Sequence, residues 1–223
     1  MSSESSMVGY YAARASEYER IYQKPERQQD LQRLSNHIEQ IFNQARLFEL
    51  ACGTGYWTAI AARTAASIVA VDINEEVLAI ARSKPIAPGL VAFHREDAYS
   101  LPRYPVRFTA GLAAFWWSHV PKSRLRTFLR GFHQLLSPGA RIVFIDNLYV
   151  EGSSTPISRT GEEGDTYQSR RLADGSMHEV LKNFPTELEL RAALDGLSDK
   201  VRVERLRYYW VLSYEPQPDA SFS

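Results

Sequence analysis

Apolar positions recur at three- and four-residue intervals through residues 10–42, first as Tyr11, Ala15, Tyr18 and Tyr22, then as Leu31, Leu34, Ile38 and Ile41. That spacing lays one stripe along a helix face. Pro25 divides the stretch into two predicted helices, because proline disrupts a helix interior and restricts its predecessor. From residue 45 onward, short apolar runs alternate with helical stretches. The runs predict strands at 47–51, 67–72, 90–94, 108–115 and 140–146. Between them, helices are predicted at 57–66, 74–83 and 123–136, with Asn74 as a plausible N-cap and Ser137-Pro138-Gly139 as a stop. The run at 67–72 is continuously apolar, as a strand covered on both faces should be. Repeated units of this kind predict an α/β, doubly wound, Rossmann-like parallel sheet with right-handed crossovers.

The alternation stops after residue 150. Residues 151–175 are polar and rich in glycine, serine and threonine, too long for an ordinary connection, and predict a substrate-side insertion or lid. A helix is expected at 185–194. Two strands are expected at 201–206 and 207–214, the first alternating apolar and charged residues as an edge strand does. The expected organisation is a disordered tail (1–9) and one domain (10–223): N-terminal helices (10–44), a ligand-binding core (45–149), an insertion (150–180) and a closing helix with an antiparallel strand pair (181–223).

Composition narrows the partners. Lys+Arg and Asp+Glu both number 26 in 223 residues, which implies no basic face and argues against nucleic acid. Cys52 is the single cysteine, so no internal disulfide forms, and a reducing compartment is expected. The N-terminus lacks the basic-then-apolar pattern of a secretion signal. No apolar run approaches the ~18 residues of a membrane span. The expected setting is cytoplasmic, with no membrane partner and no metal; a homodimer is left open.

The chemistry concentrates at the carboxyl ends of the strands, where a doubly wound sheet binds ligands. The first strand runs into Glu49-Leu50-Ala51-Cys52-Gly53-Thr54-Gly55-Tyr56-Trp57. Glycines there allow positive φ and a close backbone approach, suiting a nucleotide-like ligand. Asp72 ends the second strand, placed to accept from both hydroxyls of a ribose or to cap the next helix. Asp97 follows the third strand, as an acceptor for an adenine amino group with the Ala98 N–H donating, or as a turn residue. A dinucleotide fingerprint needs a third glycine, and Thr58 stands in its place. Glu49 suits a cofactor with a cationic amino group better than a diphosphate.

These segments, with Val71-Asp72-Ile73, Glu96-Asp97-Ala98 and Leu136-Ser137-Pro138-Gly139-Ala140, resemble the successive motifs of class I S-adenosylmethionine-dependent methyltransferases. The resemblance implies a seven-stranded sheet in the order 3-2-1-4-5-7-6, last strand antiparallel, with N-terminal cover helices. It implies S-adenosylmethionine as cofactor and S-adenosylhomocysteine as product. Glu49, Ala51, Gly53, Gly55 and Trp57 would then lie along the methionine part; Asp72 would hold the ribose; Ile73 would flank the adenine; and Asp97 and Ala98 would read its edge. Ala113 and Phe115 would line the sulfonium side. Tyr18 would close over the methionine carboxylate, with Arg14 as the second candidate. Ala51 stands where many members have glycine.

His119 is the candidate base, just after Trp116-Trp117-Ser118, with a capping or carbonyl-bonded histidine as the alternative. A small acceptor is expected against Trp116, Trp117, Tyr149 and Tyr209, with Arg159 and Arg170 able to clamp a carboxylate or phosphate. The reaction expected is in-line methyl transfer to that small molecule. A nicotinamide-dependent oxidoreductase and a non-catalytic S-adenosylmethionine-binding protein are the competing readings. Cys52 reads as a small structural residue rather than a nucleophile.

Overall fold

The structure, a computed structural model, describes residues 3–217, with side chains from Val8 onward. Seven strands form the central sheet: β1 (Arg46–Leu50), β2 (Ser67–Asp72), β3 (Val91–Arg95), β4 (Phe108–Ala114), β5 (Leu136–Asn147), β9 (Arg202–Arg205) and β10 (Tyr209–Tyr214). Their order is β3-β2-β1-β4-β5-β10-β9. The first five pair in parallel, and β10 runs antiparallel to both β5 and β9. This is the expected topology. It reverses direction between β1 and β4, which opens a crevice at their carboxyl ends.

Alternate side chains of each strand enter two cores. On one face Leu47, Ile68, Leu112, Val143 and Ile145 pack with Leu34, Ile38 and Phe42 from α2 (Gln28–Ile41) and its C-terminal end, and with Ile60 of α3 (Tyr56–Ala61). On the other, Phe48, Leu50, Ile142, Phe144 and Leu212 meet Phe128, Leu129 and Phe132 of α5 (Leu125–His133) and Leu190 of α6 (Glu187–Ala193). Burial on both faces explains why the end of β5 reads as an unbroken apolar run, and it takes Glu49 of β1 into the interior with its apolar neighbours. Gly111 lets α5 close on the sheet: a Cβ there would lie 2.7 Å from Phe132 Cζ.

Several boundaries differ from the sequence reading. Helix α1 (Ser3–Arg14) begins inside the expected tail, and the chain then tightens into 3-10 turns at Ala15–Gln23 and Pro25–Arg27. Helix α3 covers six residues and ends well before residue 66. Strand β5 starts at Leu136 instead of 140, because Leu136 pairs with Phe108 ahead of a bulge. The expected lid is not irregular. It folds as an antiparallel sheet of β6 (Arg159–Thr160), β7 (Thr166–Arg171) and β8 (Met177–Leu181). Gly175, at φ +88, turns β7 into β8, a conformation that L side chains rarely adopt. Helix α4 (Glu75–Arg82) follows Asn74 as expected, although the Asn74 side chain forms no cap bond. No helix among the described residues is long and apolar enough to cross a membrane.

Candidate functional site

Two cavities meet at the carboxyl ends of β1, β2 and β4. The first, of about 340 Å³, is lined by Ala51, Gly53, Asp72, Ile73, Asp97 and Ala98 among others. The second, of about 370 Å³, is lined by residues from the N-terminal turns, β7 and the ends of β5 and β10. Tyr11, Tyr18, Phe115 and His119 line both, and so form the boundary between them.

The floor of the first cavity follows from local backbone geometry. Ala51 (φ 52), Gly53 (φ 56) and Gly55 (φ 76) all turn left-handed, which folds the chain sharply off β1. A Cβ on Gly53 would meet nothing within 4 Å, so this backbone faces open space, whereas one on Gly55 would reach 3.0 Å from Ala81 Cβ on α4. The Asp72 carboxylate accepts from the Gly53 amide (2.9 Å) and the Asn74 amide (3.0 Å). Those bonds fix its orientation, and each oxygen keeps a further lone pair. Burial pushes its pKa up, opposed by those backbone donors. Asp97 accepts from the Tyr99 amide at 2.9 Å.

Glu49 lies beneath this floor, 1% exposed, and its Oε2 has no hydrogen-bond partner among the described residues. Desolvation raises its pKa to about 8. The Thr58 side chain, as a hydrogen-bonding neighbour, opposes that rise. Glu49 and Gly55, both expected along the cofactor, line neither cavity. With Gly53 open to the cavity and Asp72 and Asp97 at successive strand ends, the lining offers acceptors that fit the ribose hydroxyls and adenine amino group of S-adenosylmethionine.

The N-terminal segment is tied over the cavities. Thr54 Oγ1 donates to Glu19 at 2.8 Å, and Tyr22 stacks on Tyr56 with ring centroids 3.8 Å apart. His119 Nδ1–H donates to the Leu181 carbonyl at 2.6 Å, since a carbonyl can only accept. Nε2 therefore accepts from the Tyr11 hydroxyl, 2.9 Å away. Arg170 Nη1 donates to the same hydroxyl at 3.3 Å. Burial, reinforced by the nearby Lys182 charge, holds the imidazole well below its ordinary pKa. Behind it, Lys182 donates to Asp146 (2.7 Å) and Ser118 Oγ (2.6 Å) in a fully buried group.

The other site residues expected from sequence divide as follows. Arg14 and Tyr209 line the second cavity with Arg170. Trp116, expected against the acceptor, lines the first cavity. Trp57, Ala113 and Trp117 lie in the core at 3%, 0% and 3% exposure. Trp117 packs edge-on against Phe144 and Trp210, at 5.0 and 5.9 Å, so it faces the sheet and not a ligand. Tyr149 is 43% exposed and packs on Phe184, lining neither cavity. Arg159 is exposed, pairs with Glu179 at 2.6 Å and covers the Tyr167 ring, again away from both. The Cys52 thiol is pushed well up by burial, which suits a structural residue. Arg27, Gln168 and Lys182 of the second cavity were not anticipated. The last had a signal: a lysine directly after the apolar pair Val180-Leu181.

Residues 47–139 match the family model of a methyltransferase domain. A demethylmenaquinone methyltransferase from Clavibacter sepedonicus is 34% identical over 124 residues, 55% of this chain and 47% of that protein. A ubiquinone biosynthesis O-methyltransferase from Xanthomonas euvesicatoria pv. vesicatoria (strain 85-10) is 26% identical over 152 residues, 67% of this chain and 60% of that protein. The chain thus spans about half to three fifths of these relatives' length. Among solved structures, the complex of DhpI with SAH is 26% identical, with a TM-score of 0.77 over 96% of this chain and 97% of that one.

Proposed function

We propose that the chain is a class I S-adenosylmethionine-dependent methyltransferase that transfers a methyl group from S-adenosylmethionine to a small molecule held in the second cavity. The observation that carries this reading is the junction of two chambers at Tyr11, Tyr18, Phe115 and His119, one matched to the cofactor and one free for an acceptor. A chamber of about 370 Å³ is in the size range of small-molecule sites.

When bound, the cofactor supplies an activated methyl and its own leaving group. The chain's work is to hold, orient and dehydrate. Asp72 accepts from the ribose hydroxyls with oxygens already aligned by Gly53 and Asn74. Asp97 and the Ala98 amide read the adenine edge, and Ile73 lies against its face. Glu49 takes the ammonium, while Tyr18 closes on the carboxylate. Phe115, at φ 60, is held in a conformation that bulky residues rarely adopt. That strain sits at the boundary between the chambers, where the Phe115 ring packs on Tyr22, Trp57 and Tyr209. Alignment of the acceptor with the methyl is worth ~7–11 kcal/mol of barrier. An acceptor O–H or N–H passes its proton to the Tyr11 oxygen as the Tyr11 proton moves to His119 Nε2.

A nicotinamide-dependent oxidoreductase is not favoured, because the third-glycine position is the buried Thr58. Incubating small-molecule extracts with methyl-labelled S-adenosylmethionine tests the proposal. Label should enter a low-mass product with wild type and not with Asp72→Ala. A protein that binds the cofactor yet labels nothing across a broad acceptor set would instead be a non-catalytic binder.

A further inference from the structure

We propose that the acceptor carries an oxyanion, held in the second cavity by Arg27 and Arg170. This inference rests on the methyl-transfer reading and names the substrate class of the same site.

The chain as a whole is neutral, but this chamber is not. Its lining includes Arg14, Lys24, Arg27, Arg170, Arg171 and Lys182 against Glu17 as the acid. Glu17 already lies 3.8 Å from Arg20, and Lys182 already has Asp146. Arg27 and Arg170 have no carboxylate within ion-pair distance among the described residues.

Arg27 is the more telling of the two. It is 8% exposed, yet among the described residues its guanidinium donates to neutral groups, Asn147 Oδ1 at 3.2 Å and Ser153 Oγ at 3.1 Å, with the Tyr209 hydroxyl as a further neutral neighbour. Its Nε has no hydrogen-bond partner among the described residues. The rings of Tyr208 and Tyr209 lie 5.1 and 5.6 Å from its central carbon. Asp30, the next acid along the helix, directs Oδ2 to the Tyr208 amide. Arg170 is half-buried and donates to Gln168 Oε1 at 2.7 Å and to the Tyr11 hydroxyl. Its guanidinium also sits by the Tyr10 ring, 5.9 Å away.

An arginine stays charged in any protein, so a buried one without an anion is left uncompensated. The guanidinium fork matches carboxylate and phosphate oxygens geometrically. The cofactor brings one carboxylate, already matched by Tyr18, so two such guanidiniums call for a second anion. Arg170 also touches the Tyr11 hydroxyl that bonds His119, so an oxyanion on this fork would stand beside the proposed proton path.

The test is calorimetry with sodium phosphate and, separately, sodium acetate at constant ionic strength, on protein with and without saturating S-adenosylhomocysteine. Saturable binding of either anion is expected, with phosphate and acetate distinguishing a phosphoryl from a carboxylate acceptor. Arg27→Gln and Arg170→Gln should each weaken it at least tenfold while leaving S-adenosylhomocysteine affinity within threefold. Arg170→Gln, on the half-buried side, carries the test if Arg27→Gln does not fold. No saturable binding of either anion by the S-adenosylhomocysteine complex, or unchanged binding in the Arg170 variant, would overturn the proposal. Anion binding by a protein that ignores S-adenosylhomocysteine would instead overturn the methyl-transfer reading, and with it the anion's role as acceptor, while leaving the anion site itself in place.

Discussion

Tyr11 Oη lies 2.9 Å from His119 Nε2, and this bond joins the N-terminal helix to the turn after β4. Because the other ring nitrogen donates to the Leu181 carbonyl, Nε2 is the basic position. Desolvation, with the Lys182 charge beside it, keeps the ring neutral well below pH 6.5. The rate on an O–H or N–H acceptor should therefore show no limb near pH 6.5, falling only at more acid pH. His119→Asn should lower kcat by ~10²–10⁴, the usual range for a general base. A pH–rate profile checks both. The same shift gives a stability effect of known sign. Below pH ~6.5 the unfolded imidazole binds a proton and the folded one does not, so stability falls as pH drops through that value and is unaffected above it.

Glu49 titrates in the opposite direction. Its folded pKa is raised to about 8, so between its unfolded value and that pH the folded state holds a proton the unfolded chain has lost. Its contribution to stability thus declines as pH rises from about 4.5 to about 8, at ~1.4 kcal/mol per unit. A cofactor ammonium would draw the carboxyl back to its charged form. Binding of S-adenosylhomocysteine near pH 7 should release close to one proton, seen as a buffer-dependent calorimetric enthalpy. Glu49→Gln should abolish that dependence.

Ala51 holds φ 52 without being glycine. A left-handed L residue costs ~1–2 kcal/mol, while glycine adds ~0.5–1 kcal/mol of unfolded-state entropy. Relief of strain wins, so Ala51→Gly should be neutral or stabilising by up to ~1 kcal/mol. Chemical denaturation midpoints measure this, and a clear loss of stability would contradict it.

Gly111→Ala should do the reverse. Its Cβ would meet fully buried Phe132 at 2.7 Å, and overpacking of this kind costs ~1–3 kcal/mol. Thermal unfolding should shift down by several degrees, with S-adenosylhomocysteine affinity in the folded protein unchanged.

The parallel sheet and the ends of β1, β2 and β4 were legible because burial on both faces writes unbroken apolar runs, and glycines and acids punctuate them. Side-chain direction beyond a strand end was not. Trp116 and Trp117 are neighbours, yet one lines the first cavity and the other is 3% exposed in the core. Once the chain leaves β4 for a 3-10 turn, the two-residue period that assigns faces no longer applies. Arg159 was misplaced for another reason: its partner Glu179 arrives across β7 from β8, and no local pattern announces that pairing. The Lys182–Asp146 pair is likewise long-range, joining the end of β8 to β5. Arg27 lies in a charged, proline-led stretch that reads as exposed, and it is buried only because the ends of β5 and β10 close over it.

The central claim is that the first cavity binds the methyl donor through Asp72. Isothermal calorimetry with S-adenosylhomocysteine tests it most directly. The account predicts one saturable site on the wild type, weakened at least tenfold in Asp72→Ala. No heat of binding to folded wild type at millimolar ligand, or equal affinity in the variant, would contradict it.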